Sequence, residues 1–318
     1  MLIEVVYFLL WLLVLSVAAD RFVFGAAALA RNFGIAPMII GLTIVAMGSS
    51  APEIVVSAMA SIKGNTDTAV GNALGSNITN IALVLGLTVV LKPLLVASTT
   101  VKREIPVLII VSLLATYMLS DHVLSRFEGV VLIILFVSVL VALAWLSTRL
   151  EKNDPLLNET ENEIPQGVAT SKAVFWLLIG LVLLPLSATY MVDSAVIIAK
   201  ALGMSDLVIG LTIIALGTSL PELAASIAGV LKNEDDLALG NIIGSNIFNI
   251  LAVMAMPGLI APGAIDAMAA SRDVYVMLGL NLLLVLLSLN FKGIRRINRL
   301  EGLGLLACFA FYQYLLFG

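Results

Sequence analysis

Long runs of apolar residues, separated by short polar segments, dominate the chain. A helix needs about 20 apolar residues to cross the hydrocarbon core of a bilayer, and these runs have about that length. The pattern predicts ten spans, near residues 2–30, 36–62, 68–91, 104–120, 125–147, 172–200, 205–231, 237–260, 272–290 and 298–317. We therefore expect an all-α membrane protein with ten transmembrane helices.

One polar segment divides the predicted spans into two groups of five. Residues 148–171 contain five acidic residues together with two prolines and a glycine, a composition typical of a solvated linker. We therefore expect an N-terminal half, 1–147, an acidic linker, 148–171, and a C-terminal half, 172–318.

The distribution of Lys and Arg predicts the orientation, because basic residues concentrate in cytoplasmic loops. If the linker is cytoplasmic and ten spans exist, 13 of the 17 basic residues lie on the inner side. We therefore expect a cytoplasmic linker and both termini outside.

The amino-acid composition excludes several classes of protein. Apolar residues make up 61% of the chain and charged residues 12%, about half the ~25% of a soluble domain. These values exclude a cytosolic enzyme, a nucleic-acid binder and a disordered protein. The single cysteine, Cys308, excludes a disulfide scaffold and a cysteine-based zinc site.

The strongest signal is an internal repeat. GLTIVAMGSSAPE at 41–53 returns as GLTIIALGTSLPE 169 residues later, and residues 41–80 and 210–249 share 20 of 40 positions. Membrane composition alone does not place Pro, Glu, Asn and Gly in one register. Five spans separate equivalent positions, so the second copy is inverted, as in secondary transporters whose sites lie near the midplane. We therefore expect two inverted five-helix repeats.

Glu53 and Glu222 occupy equivalent positions in the middle of predicted spans. A carboxylate in the bilayer interior is costly and by default marks a functional site with a partner. No Lys or Arg lies within ten residues before either one, so a bound cation is the favoured partner. The alternative is a pair of protonated structural glutamates.

A proline precedes each glutamate. Pro52 and Pro221 lack the N–H that would bond the carbonyl four residues back, which predicts a broken helix. Broken helices at membrane depth are tolerated where they face protein or a water-filled cavity. Hydroxyl groups cluster at the same breaks, on Ser49, Ser50, Thr218 and Ser219.

The second repeated motif, GNxxGSNxxN, adds more oxygen atoms. Ser76 and Asn80 are four residues apart and share one helical face, as do Ser245 and Asn249. Calcium takes about six to eight oxygen ligands, and two carboxylates balance one divalent or two monovalent cations. For the asparagines, hydrogen bonds between helices are the alternative role.

With these motifs, the chain resembles the calcium/cation antiporter superfamily and most closely a prokaryotic sodium/calcium exchanger. The signatures are GSSAPE at 48–53 and GTSLPE at 217–222, each followed by GNxxGSN. The resemblance implies transport of calcium and sodium in a cell membrane, with no cofactor and no protein partner. In potassium-dependent relatives an Asp stands where Asn249 stands here, so potassium coupling is not expected.

The resemblance also implies a set of ion ligands. Glu53 and Glu222 match the shared acidic ligands, and Asn80 and Asn249 match the central amide or acidic position. The remaining matches are the hydroxyl or carbonyl positions Ser49, Ser50, Thr218 and Ser219, the outlying sodium ligands Ser76 and Ser245, and the backbone carbonyls of Ala46 and Ala215.

Three other functions compete with sodium/calcium exchange. A calcium/proton antiporter would use the same carboxylates, although the abundant hydroxyls suit sodium better. A cation channel would conduct without a counter-ion. An intramembrane hydrolase is disfavoured, because the sequence contains no HExxH or GxSxG motif and its one histidine, His122, falls in a predicted loop. We therefore expect a transporter and not an enzyme.

Overall fold

The computed structural model describes residues 2–34, 46–96, 99–147, 165–231, 235–288 and 295–317. The N-terminal half contains α1 Leu2–Asn32, α2 Ala46–Ser49, α3 Ala51–Ile62, α4 Thr66–Thr79, a π-helix Asn80–Leu85, α5 Gly86–Leu91, β1 Leu94–Val96, α6 Thr99–Met118, a 3₁₀ turn Leu119–Asp121, β2 Val123–Leu124 and α7 Arg126–Ser147. Most of the acidic linker, residues 148–164, lies outside the described residues.

The C-terminal half repeats this order of elements. It contains α8 Thr170–Ala201, α9 Asp206–Ile209, a π-helix Gly210–Ile214, α10 Ala215–Thr218, α11 Leu220–Leu231, α12 Asp235–Phe248, a π-helix Asn249–Val253, α13 Ala255–Ile260, β3 Gly263–Ala264, a π-helix Ala269–Asp273, α14 Val274–Ser288, β4 Arg295–Ile297 and α15 Arg299–Phe317.

In the described part of the chain, eight helical segments are long and apolar enough to cross a membrane, and the chain is an integral membrane protein. The expected count of ten is not confirmed by this number. Within the predicted span 36–62, residues 36–45 lie outside the described part, and the remainder contains the shorter apolar helix α3. The predicted span 125–147 corresponds to the 22-residue α7, which is not among the eight.

The two most buried spans are Thr66–Leu91 and Ala238–Ile260, while α1, α8 and α15 expose most of their surface. In a bilayer, lipid solvates apolar side chains as well as other apolar side chains do, so burial is driven mainly by polar groups and close packing. The motifs with Asn, Ser and Gly therefore occupy the central helices, and α1 and α8, the two most apolar of the eight spans, lie outside.

Two small antiparallel sheets join the two halves. Leu94–Val96 pairs with Arg295–Ile297, and Val123–Leu124 pairs with Gly263–Ala264. One helix, α6, separates β1 from β2, so the two sheets lie at opposite ends of the helical bundle. Each sheet therefore pairs a loop of one half with a loop of the other.

A close crossing joins α4 to the π-helix Gly210–Ile214. A Cβ on Gly71 would lie 2.6 Å from the Leu207 carbonyl oxygen, and one on Gly210 would lie 2.3 Å from that of Thr68. Only glycine allows the two backbones to approach this closely.

The long helices α1 and α8 pack chiefly against each other. Asn32, at the end of α1, donates to the carbonyl of Val168 at 3.0 Å, just before α8 begins. The two helices are therefore antiparallel, and the end of α1 lies on the side where the linker enters α8.

Candidate ion site

Both predicted helix breaks are present. Ser50 lies between α2 and α3, and Ser219 lies between α10 and α11. Their backbone angles agree closely, with φ −88° and ψ 4° at Ser50 and φ −84° and ψ 2° at Ser219. These angles lie in the sparsely populated bridge region that active-site residues often adopt. The two repeats therefore build the same break.

The side chains of Glu53 and Glu222 are fully buried, one in the first turn after each break. The two carboxylates lie close enough to interact electrostatically. In the described part of the chain, none of their four oxygen atoms accepts a hydrogen bond, and neither side chain joins an ion pair. Buried carboxylates without a partner cost several kcal/mol, so this pair fits a bound cation or bound protons.

Thr218 connects the two halves beside Glu53. Its hydroxyl faces the Glu53 carboxylate and lies 3.1 Å from the carbonyl of Ile214 and 3.4 Å from Asn72 Oδ1. Asn72 in turn donates from Nδ2 to the backbone carbonyl of Glu53 at 3.2 Å. On the opposite side of the site, Ser245 faces the Glu222 carboxylate. Glu53 is thus placed by a residue of the second break and one of the first GNxxGSN motif, and Glu222 faces a residue of the second motif.

Several other predicted ligands present buried oxygen atoms. Ser50, Ser219 and Ser76 have hydroxyls, and Asn80 and Asn249 have amide oxygens, that accept no hydrogen bond from the residues the structure describes. The side chain of Ser49 lies outside what is described, so only its position at the end of α2 is known. A concentration of unpartnered buried oxygens is the environment that sodium or calcium requires.

The backbone carbonyls at the second break have different surroundings. The carbonyl of Ala215 accepts from the N–H of Ser219 at 3.1 Å, and the Thr218 hydroxyl lies 3.5 Å from it. The residue four positions after Gly217 is Pro221, which has no N–H to donate to the Gly217 carbonyl. Ala46 begins α2, directly after the undescribed segment 35–45.

A π-helix begins at each of the two central asparagines, at Asn80 and at Asn249. In a π-helix the hydrogen bonds run to the fifth residue along, and such segments are frequent at functional sites. Ser57 donates to the carbonyl of Val253, the last residue of the π-helix Asn249–Val253, at 3.0 Å. The asparagines thus lie where each central helix changes its hydrogen-bond register.

A cavity of about 460 Å³ reaches the breaks from the side where the linker enters α8. Gly48, Pro52 and Pro221 line it near the glutamates, and Asp20 and Pro165 line it elsewhere. The cavity therefore lies between the two breaks and the linker side of the bundle.

On the side opposite this cavity, Lys63 at the end of α3 contacts α8. Its ammonium group forms an ion pair with Asp193 and donates to the carbonyl of Thr189 at 3.1 Å. This contact fastens the end of α3 to α8 on the side away from the cavity.

Comparisons with known proteins agree with this architecture. The model of the family described as sodium/calcium exchanger protein matches residues 3–145 and 172–318. The chain belongs to this family. The resemblance inferred from the repeated motifs is thereby confirmed, and the sodium/calcium exchanger family is one of membrane antiporters that carry sodium and calcium.

Individual relatives of this exchanger-family chain match it almost end to end. The putative antiporter CaxA of Alkalimonas amylolytica is 58% identical over 100% of this chain and 99% of its own length. The inner membrane protein YrbG of Escherichia coli is 45% identical, with coverage of 90% and 89%. A structure of the sodium-calcium exchanger NCX_Mj, soaked with Na⁺ and Sr²⁺, is 35% identical with a TM-score of 0.65, covering 98% of each chain.

The sequence analysis of this family member missed two buried polar residues near the site, Ser112 and Asn281. Both lie in predicted spans outside the compared segments 41–80 and 210–249, and they are again 169 residues apart. A repeat comparison extended beyond residue 80 would have paired them.

Proposed function

We propose that this protein is a secondary active transporter that exchanges sodium for calcium by alternating access, at one midplane site built by both repeats. The observation that carries the proposal is the pair of buried carboxylates, Glu53 and Glu222, neither of which forms an ion pair with a residue that the structure describes. The predicted ligands Ser49, Ser50, Thr218, Ser219, Asn80, Asn249, Ser76, Ser245, Ala46 and Ala215 complete the proposed site.

Charge balance explains why such a site would exchange rather than leak. One calcium ion, or two sodium ions, neutralises the two carboxylates. Calcium and sodium compete because they share the same pair. An empty site leaves two desolvated negative charges, which opposes conversion between the inward-open and outward-open states. We infer transport coupled in this way, without catalytic chemistry.

The proposed architecture is ten transmembrane helices in two inverted five-helix repeats, 1–147 and 172–318, joined by the linker 148–171. The sheet pairing supports it. β1 and β3 occupy equivalent places in the repeats, yet they lie at opposite ends of the bundle, as inversion requires.

We further propose that the linker is cytoplasmic, that both termini are outside and that the protein lies in a prokaryotic inner membrane. The excess of basic residues on the linker side supports this orientation. In it, the cavity beside Asp20 and Pro165 opens to the cytoplasm, and α1 and α8 are the helices proposed to slide.

The test is radiolabelled calcium uptake into proteoliposomes loaded with sodium and diluted into sodium-free buffer. We expect uptake to require internal sodium and to be lost in Glu53→Gln and Glu222→Gln. Glu128→Gln is the matched control, because Glu128 bonds Ser125 at the start of α7, outside the site. Uptake driven only by a proton gradient would make the protein a calcium/proton antiporter, and uptake with neither gradient would make it a channel.

A further inference from the structure

Four buried side chains form a continuous chain of hydrogen bonds that starts at the proposed ion site. Asn80 donates to Asn246 at 3.1 Å, Asn246 donates to Asn281 at 3.3 Å, and Asn281 donates to Ser112 at 2.9 Å. Ser112 donates to the backbone carbonyl of Leu108 at 2.6 Å. All four side chains are fully buried. We call this chain of residues the amide relay.

The amide relay has a fixed polarity. The Leu108 carbonyl can only accept, so the single proton of Ser112 points to it and the Ser112 oxygen is left to accept from Asn281. Asn281 therefore uses its NH₂ there and offers its oxygen to Asn246, which in the same way offers its oxygen to the NH₂ of Asn80. Each amide is oriented by the next one, and Asn246 also donates to the backbone carbonyl of Asn77 at 3.4 Å.

The amide relay determines which atom of the Asn80 side chain is left without a hydrogen-bond partner. Its NH₂ is used by Asn246, and its oxygen accepts no hydrogen bond from any residue described. Asn80 shares a helical face with Ser76, and the equivalent Ser245 faces Glu222. The free amide oxygen is a cation ligand, whereas a flipped amide would present two N–H groups that repel a cation.

The second half of the site has no matching chain among the described residues. Asn249, equivalent to Asn80, has neither amide atom partnered there. Asn77, equivalent to Asn246, donates into its own helix, to the carbonyl of Ala73 at 2.9 Å. The amide relay thus orients one central asparagine, and no described residue holds its counterpart in the same way.

We propose that Ser112 and Asn281 are positioning residues that hold the carbonyl oxygen of Asn80 toward the transported ion. The proposal rests on the proposed exchange function and adds two residues of α6 and α14 to it. Residues that orient metal ligands typically change metal affinity by about 10- to 100-fold when removed.

The experiment measures calcium uptake kinetics of Asn281→Leu and Ser112→Ala in proteoliposomes, together with calcium affinity of the detergent-solubilised proteins by titration calorimetry. We expect the KM and the Kd for calcium to rise about tenfold or more, with the maximal rate changed less than twofold. A merely structural defect would reduce the amount of active protein and so lower the maximal rate without moving the KM or the Kd.

Two control variants sharpen the result. Ser112→Thr keeps the hydroxyl and should retain the unmodified Kd. Thr116→Val removes a hydroxyl one turn along α6, which bonds the Ser112 carbonyl outside the amide relay, and should also leave the Kd unchanged. If one relay variant fails to fold, the other still tests the proposal.

The outcomes separate this proposal from the proposed function. Unchanged calcium affinity in both relay variants, beside an unmodified protein that binds calcium, would overturn the positioning role and leave the exchange function standing. An unmodified protein that neither binds nor transports calcium would overturn both.

Discussion

Ser112 and Asn281 are hydrogen-bonded to each other, 169 residues apart, with Asn281 Nδ2 donating to Ser112 Oγ at 2.9 Å. The same offset relates the two copies of the repeated motifs, so the two residues occupy equivalent positions. Asn246 likewise donates to the backbone of its equivalent, Asn77, at 3.4 Å. The amide relay therefore joins equivalent positions of the two halves.

Replacing Thr218 with valine removes the hydroxyl that faces Glu53 while keeping the shape of the side chain. The hydroxyl also lies 3.4 Å from Asn72 Oδ1, and Asn72 holds the Glu53 backbone. Loss of the Thr218 hydroxyl, which contacts both the Glu53 carboxylate and Asn72, costs about 1.5 kcal/mol. This free energy corresponds to about a tenfold change in calcium affinity. We expect the KM for calcium to rise about tenfold, measured as sodium-driven uptake in proteoliposomes.

Thr212→Val is the control for this prediction. The Thr212 hydroxyl bonds the carbonyl of Val208 at 2.6 Å, within its own helix. Its removal should leave the KM unchanged. Equal effects of the two substitutions would show that Thr218 acts only through helix stability.

Replacing Asn249 with aspartate adds a third negative charge to the site. One calcium ion would then leave one charge unbalanced, which opposes interconversion of the two states unless a monovalent cation also binds. We expect calcium uptake by Asn249→Asp to be stimulated by potassium, whereas uptake by the unmodified protein is not. Uptake is measured over a potassium series at constant ionic strength.

Asn80→Asp makes an informative comparison because Asn80 is tied to Asn246. An aspartate there cannot donate to the Asn246 oxygen and places two acceptors against each other. We expect a larger loss of uptake than in Asn249→Asp. The reverse order would contradict the asymmetry between the two asparagines.

The crossing at Gly210 predicts a stability effect. An alanine Cβ there would lie 2.3 Å from the Thr68 carbonyl oxygen and 2.8 Å from the Asn72 amide nitrogen, both backbone atoms. Overpacking of this kind costs about 1–3 kcal/mol. We expect Gly210→Ala to unfold at a temperature lower by several degrees, measured by thermal denaturation in detergent. Gly279→Ala, where no atom of another described element lies within 4 Å of the added carbon, should unfold at the same temperature or slightly higher, because alanine is the better helix former.

The ion pair between Lys63 and Asp193 predicts a shift in access to the site. Partly exposed ion pairs contribute about 0–1 kcal/mol to stability. Losing this one would shift the equilibrium between the proposed inward-open and outward-open states by up to about fivefold. In a Cys308→Ser background, Ser16→Cys places a thiol in the cavity wall. We expect Asp193→Asn to slow labelling of this thiol from the linker side by about two- to fivefold.

Asp121→Asn serves as the charge control for the access prediction. Asp121 is exposed and bonds only its own turn, through the N–H of Val123 at 3.0 Å. Labelling rates that change equally in both variants would argue against a specific role of the Lys63 contact.

Much of the helix layout could be predicted from hydrophobicity. The predicted span 205–231 is the observed segment Asp206–Leu231, and the predicted span 298–317 is the helix Arg299–Phe317. The breaks at Ser50 and Ser219 follow from the prolines. These features depend on local sequence, so the order of apolar residues and prolines is enough to predict them.

The π-helices and the amide relay could not be predicted in the same way. A π-helix beginning at Asn80 or Asn249 is a change of hydrogen-bond register that no residue type specifies. The relay joins Asn80 to Asn246 and Asn281 to Ser112, over separations of 166 and 169 residues. Which amide orients which depends on how the helices pack in three dimensions.

The two small sheets limit how the molecule can deform. One joins the halves beside β1 and β4, and the other joins them beside β2 and β3, at the opposite end. The sheets thus tie the two halves together at both ends of the bundle. Among the described residues, no strand adjoins α1 or α8, and these two helices pack chiefly against each other. In the proposed transport cycle, we therefore expect the helices joined by the sheets to stay together while α1 and α8 move as a pair.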